Sequence, residues 1–445
     1  MYDKKKKIAF YTIGCKLNYA ETSTIERKFS SLYYEHVSFK DYADIYIINS
    51  CSVTKNAEMD FEYIVRCAIK KNDKAYIIAT GCYAQYNPEK VSNIKGVSLV
   101  LGNKDKFNII DFINIKNEKK RKINVSNNNE CFFPSFSIGN RTRSFLKIQD
   151  GCNYKCSYCI IPMSRGISRS DNINNILSNI FYLFKNEVKE IVLTGINLGD
   201  FKNRNNSGNV DTFFKLLKTI EYFLSKIINE EENKRIRLSS IEPNLLEDEI
   251  IEFLSKSKYF APHFHIPLQS GSNYILGKMH RRYKKELYEY KVNKIRNIIP
   301  NAYIGSDIIV GFPGETYKDF LNTYFFIKKL DISSMHIFTY SSRPNTKSLI
   351  FCKKLSNSIK KKRNNILRNM SKKKYFIFCK KQINTKKIVL FEKNLKYNRY
   401  IYGYTENYIR TKIPFSHFPN IENTLQKVIL KKIDKDGIVI AKLIK

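Results

Sequence analysis

Three cysteines close together, Cys152-Asn153-Tyr154-Lys155-Cys156-Ser157-Tyr158-Cys159, carry the strongest chemical signal in the chain. This CxxxCxxC loop offers three thiolates to a 4Fe–4S cluster and leaves one iron without a protein ligand. Such an open iron can chelate a small molecule, as a catalytic zinc keeps one open position. Structural zinc fits poorly, because it takes four ligands and no His or further Cys follows within the loop.

A second trio is scattered in sequence but coherent in placement. Cys15 follows the apolar run Ile8–Gly14, Cys51 ends Asp44–Cys51, and Cys82 follows Ala75–Gly81. The ends of parallel strands emerge on one edge of an open sheet, where such sheets bind ligands. These three can therefore hold another three-cysteine cluster with one open iron. Simple burial of cysteine in strand-rich cores gives the same placement. Cys67, Cys131, Cys352 and Cys379 fit no motif and read as incidental. The histidines form no ligand pair at helical spacing; His263 and His265 share a strand face and read as packing or cofactor-lining.

Local patterns show what must position these residues. Ile8–Gly14, Asp44–Cys51, Ala75–Gly81 and Val97–Gly102 alternate with amphipathic stretches such as Thr22–Leu32 and Ala57–Lys70, the pattern of an open parallel α/β sheet. Lys116 to Glu130 is too polar to pack and reads as a linker. Six strand candidates follow: Phe145–Gln149, Glu190–Thr194, Arg235–Ile241, His263–Leu268, Tyr303–Val310 and Met335–Tyr340. Helical patterns separate them, so the expected fold is a partial (β/α)6 barrel with its active site at the C-terminal strand ends. A basic helical connector, Lys353 to Lys374, leads to short strand-like runs between Lys387 and Leu443, the signature of a small β-barrel. There Tyr404 ends the run Tyr400–Tyr404 and Tyr408 and Arg410 open the run Tyr408–Ile413; their even spacing would put all three on one face as a stacking platform if the strand were continuous. Core packing of those tyrosines is the competing reading.

Composition bounds the function. The chain has 445 residues, and Lys+Arg 78 against Asp+Glu 41 leaves +37, a field suited to a polyanion such as nucleic acid. AT-rich coding, visible in no Trp beside 30 Tyr and 30 Phe, produces the same Lys excess. Arg281-Arg282 and the run Lys360 to Arg363 are candidates for phosphate contact or for solvated faces. The apolar run after Lys4 to Lys7 is too short for an export signal, and no stretch approaches the ~20 apolar residues of a membrane span. Ten cysteines are too sparse for a disulfide scaffold. A cytoplasmic protein with no membrane partner is expected.

The flanking residues carry a family resemblance. Thr12-Ile13-Gly14-Cys15-Lys16-Leu17-Asn18, Asn49-Ser50-Cys51-Ser52-Val53-Thr54 and Thr80-Gly81-Cys82-Tyr83-Ala84-Gln85 resemble the three N-terminal cysteine motifs of the radical S-adenosylmethionine methylthiotransferases. The run from Gly151 through Cys159 to Pro162, Arg165-Gly166 and Arg169-Ser170 resembles that family's radical loop. Leu193–Gly199, Ser239–Pro243, His265–Ser272 and Ser306–Glu315 match its strand ends, and Gly403–Arg410 looks like part of its RNA-binding TRAM barrel. Within the family, the chain looks most like the branch acting on N6-threonylcarbamoyladenosine beside the anticodon of tRNA. It departs at Tyr19, where Gln is common, and at Met163-Ser164, which replace an aromatic-Ala pair.

The resemblance implies two 4Fe–4S clusters and S-adenosylmethionine. Cys152, Cys156 and Cys159 would hold the radical-generating cluster, and Cys15, Cys51 and Cys82 the auxiliary one, whose open iron bears or receives the sulfur. Tyr158, Thr194, Gly195, Glu242, Gln269, Ser270, Val310 and Gly311 would surround S-adenosylmethionine, with Ile309 beside its adenine; Tyr404, Tyr408 and Arg410 would bind RNA. One S-adenosylmethionine would methylate the sulfur, and a second would give the 5′-deoxyadenosyl radical that removes hydrogen from C2 of the adenine. Expected partners are the tRNA anticodon loop, an electron donor such as flavodoxin or ferredoxin, and a sulfur source that the sequence does not name. The expected division is 1–115 for the methylthiotransferase domain, 116–137 for the linker, 138–370 for the radical core and 371–445 for the TRAM-like domain. Alternatives are N6-isopentenyladenosine or an aspartate of a small-subunit ribosomal protein as substrate and, more remotely, a non-catalytic iron–sulfur RNA-binding regulator.

Overall fold

Ile- and Val-rich runs at the start of the chain become the strands of one parallel sheet. The computed structural model describes residues 5–52, 54–114, 122–126, 131–139, 141–204, 208–229, 233–351, 354–393, 399–415 and 421–444. Two units result. One comprises Met1–Ser137, Phe145–Lys155 and Cys159–Asp171; the other comprises Ile138–Ser144, Cys156–Tyr158 and Asn172–Lys445. Cys352 and His417 lie outside the described residues, as does most of the polar segment from Lys116 to Glu130.

In the first unit the elements are β1 (Lys6–Thr12), α1 (Lys16–Glu26), β2 (Tyr34–His36), β3 (Ile45–Ser50), α2 (Lys55–Lys71), β4 (Tyr76–Gly81), α3 (Cys82–Tyr86), α4 (Pro88–Ser92), β5 (Val97–Leu101), α5 (Ile109–Asn114) and β6 (Lys122–Asn124). The strands pair in parallel in the order β2-β1-β3-β4-β5-β6. Every residue of β3 is buried, as a strand covered on both faces requires. Ile45 and Ile47 join Ile8 and Phe107 on one face, while Tyr46 and Ile48 join Phe61 and Val65 on the other. Lys122–Asn124, which composition assigns to a linker, pairs with β5 at the sheet edge; an edge strand needs only backbone partners on one side. Next come β7 (Ser135–Phe136), β8 (Arg143–Lys147), β9 (Gln149–Asp150), α6 (Ile161–Arg165) and β10 (Arg169–Ser170), with β9 and β10 antiparallel.

Helix α1 differs from its expected span. It begins at Lys16, directly after Cys15, and not at Thr22. Its inner face carries Asn18, Glu21 and Thr22, all buried, so apolar spacing alone could not mark its start.

The second unit alternates strand and helix: α7 (Ile173–Lys185), β11 (Glu190–Thr194), a hairpin of β12 (Lys202–Arg204) and β13 (Val210–Thr212), α8 (Phe213–Ile227), β14 (Arg235–Leu238), α9 (Asp248–Lys256), β15 (His263–His265), α10 (Asn273–Lys278), α11 (Lys285–Ile298), β16 (Tyr303–Val310), α12 (Tyr317–Lys329) and β17 (Ser334–Thr339). Strands β11 and β14 pair in parallel, as do β15, β16 and β17, and the bridge Ser240–His265 joins the two groups into one arc. Asn172, Thr212 and Thr316 cap α7, α8 and α12 through their side-chain oxygens.

Helix α13 (Asn357–Lys380) then leads to β18 (Lys386–Phe391), β19 (Tyr400–Thr405), β20 (Arg410–Pro414), β21 (Leu425–Ile433) and β22 (Val439–Leu443). These five close into a barrel in the order β18-β19-β20-β22-β21. The barrel is anchored to the strand arc. Glu190, fully buried at the start of β11, holds Arg235 and also Arg237, the latter at 2.9 Å. Their guanidinium groups in turn donate to barrel carbonyls: Arg235 to Ile388 and Tyr404 at 3.1 and 3.0 Å, Arg237 to Glu406 at 3.0 Å.

Candidate functional site

The CxxxCxxC loop is shaped by a close backbone pass. Gly151 has φ +70°, and a Cβ there would lie 1.9 Å from the Ile167 carbonyl oxygen, so no larger residue fits. Backbone N–H groups point at the sulfurs: Tyr154 donates to Cys152 at 3.3 Å and Ile161 to Cys159 at 3.5 Å. Arg281 donates to the Cys156 sulfur at 3.3 Å. Burial raises the Cys156 thiol, and Arg281 opposes that by favouring the thiolate. Ser157, between the ligands, is pinned to the Lys278 carbonyl at 2.7 Å through its hydroxyl.

The N-terminal trio occupies neighbouring strand ends of the first unit. Cys15 precedes α1, Cys51 follows β3, and Cys82 opens α3 directly after β4. A Cβ at Gly14, whose φ is +116°, would sit 2.6 Å from Cys51 Cβ, so the Cys15 loop passes directly over Cys51. Asn18 ties the loops together: its Nδ2 donates to the Ile13 and Ser50 carbonyls, both at 3.0 Å.

The donor chemistry of both trios suits iron–sulfur clusters. None of the nine described cysteines is in a disulfide. Among the described residues, His265, Asp307 and His336 are the one group of three whose ligand atoms lie within 4.8 Å of one another.

Other expected contacts gather at the arc's strand ends. Thr194 ends β11 fully buried, its hydroxyl without a hydrogen-bond partner among the described residues, and half-buried Gly195 follows. Glu242, after β14, is held by Arg281; burial raises its carboxyl, against the pull of that guanidinium. Gln269 adopts φ +66°, a strained conformation fixed by backbone bonds to Asp307 and Ile309 at 2.8 and 2.9 Å. Tyr158 packs with Ile309, Phe312 and Tyr340 in one apolar cluster.

Relatives fix what this arrangement belongs to. Residues 146–327 match the family described as the radical SAM superfamily, and residues 7–102 match the uncharacterized protein family UPF0004. A Bacillus subtilis (strain 168) protein named threonylcarbamoyladenosine tRNA methylthiotransferase MtaB is 35% identical over 97% of this chain and 94% of its own length. The chain belongs to the radical S-adenosylmethionine methylthiotransferase family. A Fusobacterium nucleatum protein named tRNA-2-methylthio-N(6)-dimethylallyladenosine synthase is 34% identical over 80% of this chain and 82% of its own. The fold is shared with the radical S-adenosylmethionine methyltransferase TsrM from Kitasatospora setae, at TM-score 0.55 and 11% identity over 75% of this chain and 73% of that one. Membership in the methylthiotransferase family brings S-adenosylmethionine and a 4Fe–4S cluster.

Several residues of this methylthiotransferase do other work than their position in sequence suggests. The Ser270 hydroxyl is committed to Thr323 at 3.2 Å and to the Ser272 N–H, so it serves the turn. Val310 is fully buried and alternates with Ile309, hence faces away from Tyr158. Gly311 sits against Lys360, whose side chain would meet a Cβ at 2.5 Å. Tyr404, Tyr408 and Arg410 are not on one continuous strand: Tyr408 lies in the turn between β19 and β20 with φ +63°. The Thr405 hydroxyl accepts from Ile409 N–H at 2.8 Å and closes that turn. Tyr408 stacks on Tyr404 at 4.8 Å and packs on His263 and Tyr303, while Arg410 stays exposed beside Tyr402. Arg281 and Arg363 are likewise committed internally, Arg363 to Glu315 at 2.9 Å.

Two constellations are absent from the sequence reading. The first joins Asp307 to His265 at 3.1 Å and to His336 at 3.3 Å, across β15, β16 and β17. Strand register alone could have found it. The second is a buried ion network around Arg165, within the first unit.

Proposed function

We propose that the chain attaches a methylthio group to C2 of N6-threonylcarbamoyladenosine next to the anticodon of tRNA, using a second 4Fe–4S cluster on Cys15, Cys51 and Cys82. The observation that carries this reading is the placement of these three cysteines at adjacent ends of one parallel sheet, with Gly14 crossing Cys51. The tRNA substrate and its threonylcarbamoyl form are supported by the Bacillus subtilis relative, similar over nearly the full length of both chains.

S-adenosylmethionine held at a cluster on Cys152, Cys156 and Cys159 would, given one electron from the donor, supply the radical chemistry that removes hydrogen from an unactivated carbon. The chain's own residues do the rest. Cys152, Cys156 and Cys159 hold the cluster, and the N–H groups of Tyr154 and Ile161 favour their thiolates. Thr194, Gly195, Glu242 and the strained Gln269 turn offer polar groups to the methionine end of the cofactor, and Tyr158 with Ile309 offers an apolar wall to its adenine. Thr194 is fully buried and the others half-buried, a setting that limits access of water and stray hydrogen donors. Access to C2 needs a base splayed from its stack, which favours a single-stranded loop. Arg410, beside Tyr402, is the exposed cation of the original barrel trio and contacts RNA in this reading. Electrons come from a flavodoxin- or ferredoxin-type donor, and the reaction takes place in the cytoplasm.

The test is nucleoside mass spectrometry of tRNA from cells lacking the native activity, with and without this gene. Appearance of 2-methylthio-N6-threonylcarbamoyladenosine, lost with Cys156→Ala and with Cys51→Ala, supports both centres and the substrate. Methylthiolated isopentenyladenosine keeps the chemistry and moves the chain to the activity named for the Fusobacterium relative. Cleavage of S-adenosylmethionine without any change in tRNA turns attention to a ribosomal protein.

A further inference from the structure

Arg165 stands out in the first unit, because it is fully buried and yet its Nε–H has no partner among the described residues. Its other nitrogens are saturated. Nη2 donates to Asn18 Oδ1 at 2.6 Å and to Glu21 Oε2 at 3.1 Å; Nη1 donates to Glu21 Oε1 at 3.0 Å and Asp150 Oδ1 at 2.8 Å. An orphaned charged donor in a dry interior is costly, so a missing acceptor is the economical explanation.

The charge around it points the same way. Lys106 holds Glu21 at 2.6 Å, and Lys147 holds it at 3.0 Å. Among the described residues, the buried cations Arg165, Lys106 and Lys147 pair only with Glu21 and Asp150, and Arg169, 12% exposed, shares Asp150 at 3.2 Å. Cations outnumber carboxylates in this buried network, and buried charge demands a counter-charge. Two cysteines lie within electrostatic reach: the Arg165 guanidinium interacts with Cys82 and Cys15. The connection is mechanical as well. Helix α6, which ends in Arg165, packs on α3, which begins with Cys82, and the Asn18 that Arg165 holds braces the carbonyls of Ile13 and Ser50.

We propose that Arg165 is a positioning residue of the three-cysteine centre, its Nε–H donating to an anionic sulfur held between Cys15, Cys51 and Cys82. This rests on the reading of those cysteines as cluster ligands. The sulfur is either inorganic sulfide of the cluster or a sulfur anion at the open iron. Both share the chemistry of a soft anion that gains from a charged donor.

The experiment uses the full-length chain with Cys152, Cys156 and Cys159 all changed to Ala, so that only the N-terminal centre can load, with Arg165 or with Arg165→Lys. Lysine keeps the charge facing Glu21 and Asp150 and removes the planar Nε–H. Iron content, reduction potential by EPR-monitored titration, and binding of methanethiolate followed by the EPR spectrum are read for each. The expected result is equal iron loading with a potential shifted to more negative values, or methanethiolate binding weakened about tenfold. A shift without added thiolate assigns the donor to cluster sulfide; weakened thiolate binding alone assigns it to the sulfur at the open iron. Equal potential and equal thiolate affinity in fully loaded Arg165→Lys overturn the proposal. Absence of iron from the Arg165 chain overturns the cluster reading itself, and the proposal with it. If Arg165→Lys alone fails to load, the same chain with Arg165 and with arginine labelled by 15N at Nε must show a 15N hyperfine coupling to the reduced centre in pulsed EPR; absence of that coupling overturns the assignment to Nε.

Discussion

Arg281 donates to the sulfur of Cys156 at 3.3 Å across a separation of 125 residues, and its second terminal nitrogen holds Glu242. One guanidinium thus steadies a thiolate of the radical loop and a carboxylate at the end of a barrel strand. Arg281→Met keeps most of the volume but strands a buried carboxylate, whose proton affinity burial already raises. The variant is expected to retain its iron and to form 5′-deoxyadenosine at least about tenfold more slowly, the loss of one charged hydrogen-bond pair. Its residual rate should fall as pH drops, because a further-raised Glu242 binds its proton earlier. Chromatography of 5′-deoxyadenosine from pH 6 to 9 checks this, and an unchanged rate would exclude a part for Arg281 in cofactor cleavage.

Glu190 predicts how firmly the C-terminal barrel is held. Burial alone would raise its carboxyl, but Arg235, Arg237 and Arg143 hold it well below the usual range. Glu190→Gln leaves Arg143 with Glu392 alone, strands the guanidinium groups of Arg235 and Arg237 without their anion, and should cost about 3–5 kcal/mol. The same groups donate to the barrel backbone, so amide hydrogen exchange in Tyr400–Thr405 should accelerate more than in β11. Uniform acceleration would mean that Glu190 stabilises the arc and not the barrel contact.

The order in which features were legible follows from the range of the interactions. The strands carrying Cys15, Cys51 and Cys82 announce themselves through runs of Ile and Val, and the arc through its alternation with helices. Each is a local pattern that a short window captures. Asn18, Glu21 and Arg165 are polar and lie on faces that look solvated; only their meeting, 144 and 147 residues apart, makes burial affordable. His265, Asp307 and His336 depend on register between strands in the same way. The break between the runs Tyr400–Tyr404 and Tyr408–Ile413 is legible, but the positive φ of Tyr408, in a turn that Thr405 closes through its side chain with no Gly to mark it, is not, and that conformation takes Tyr408 off the shared face.

Gly14 offers a test of the N-terminal centre that touches no ligand. At φ +116°, with Cys51 Cβ only 2.6 Å from where its own Cβ would stand, Gly14→Ala must move the loop that carries Cys15. The radical loop is untouched. The variant should therefore lose about half of the iron held by the parent, while still cleaving S-adenosylmethionine, and should no longer methylthiolate tRNA. Full iron retention would show that the trio does not need this approach to bind its metal.

Acid should expose the Arg165 network through Glu21. Burial on its own would raise the Glu21 carboxyl, yet Arg165, Lys106 and Lys147 hold it well below the usual range; Asp150 is lowered in the same way by Arg165 and Lys147. In the unfolded chain a glutamate takes up its proton near pH ~4.3. Above that value both states are ionised and the stabilisation is complete. As pH falls through it, only the unfolded state gains protons, and stability declines until the depressed folded value is passed. Glu21→Gln removes the group and should cost about 3–5 kcal/mol at neutral pH, leaving the cations unbalanced. Protonated glutamate resembles glutamine, so the gap between the two chains should narrow below pH ~4.3 and close only past the depressed folded value. Urea unfolding of the metal-free full-length chain, followed by tyrosine fluorescence from pH 7 downward, measures that gap. A gap independent of pH would mean that Glu21 acts through packing, and that the charge of Arg165 is balanced by something other than this carboxylate.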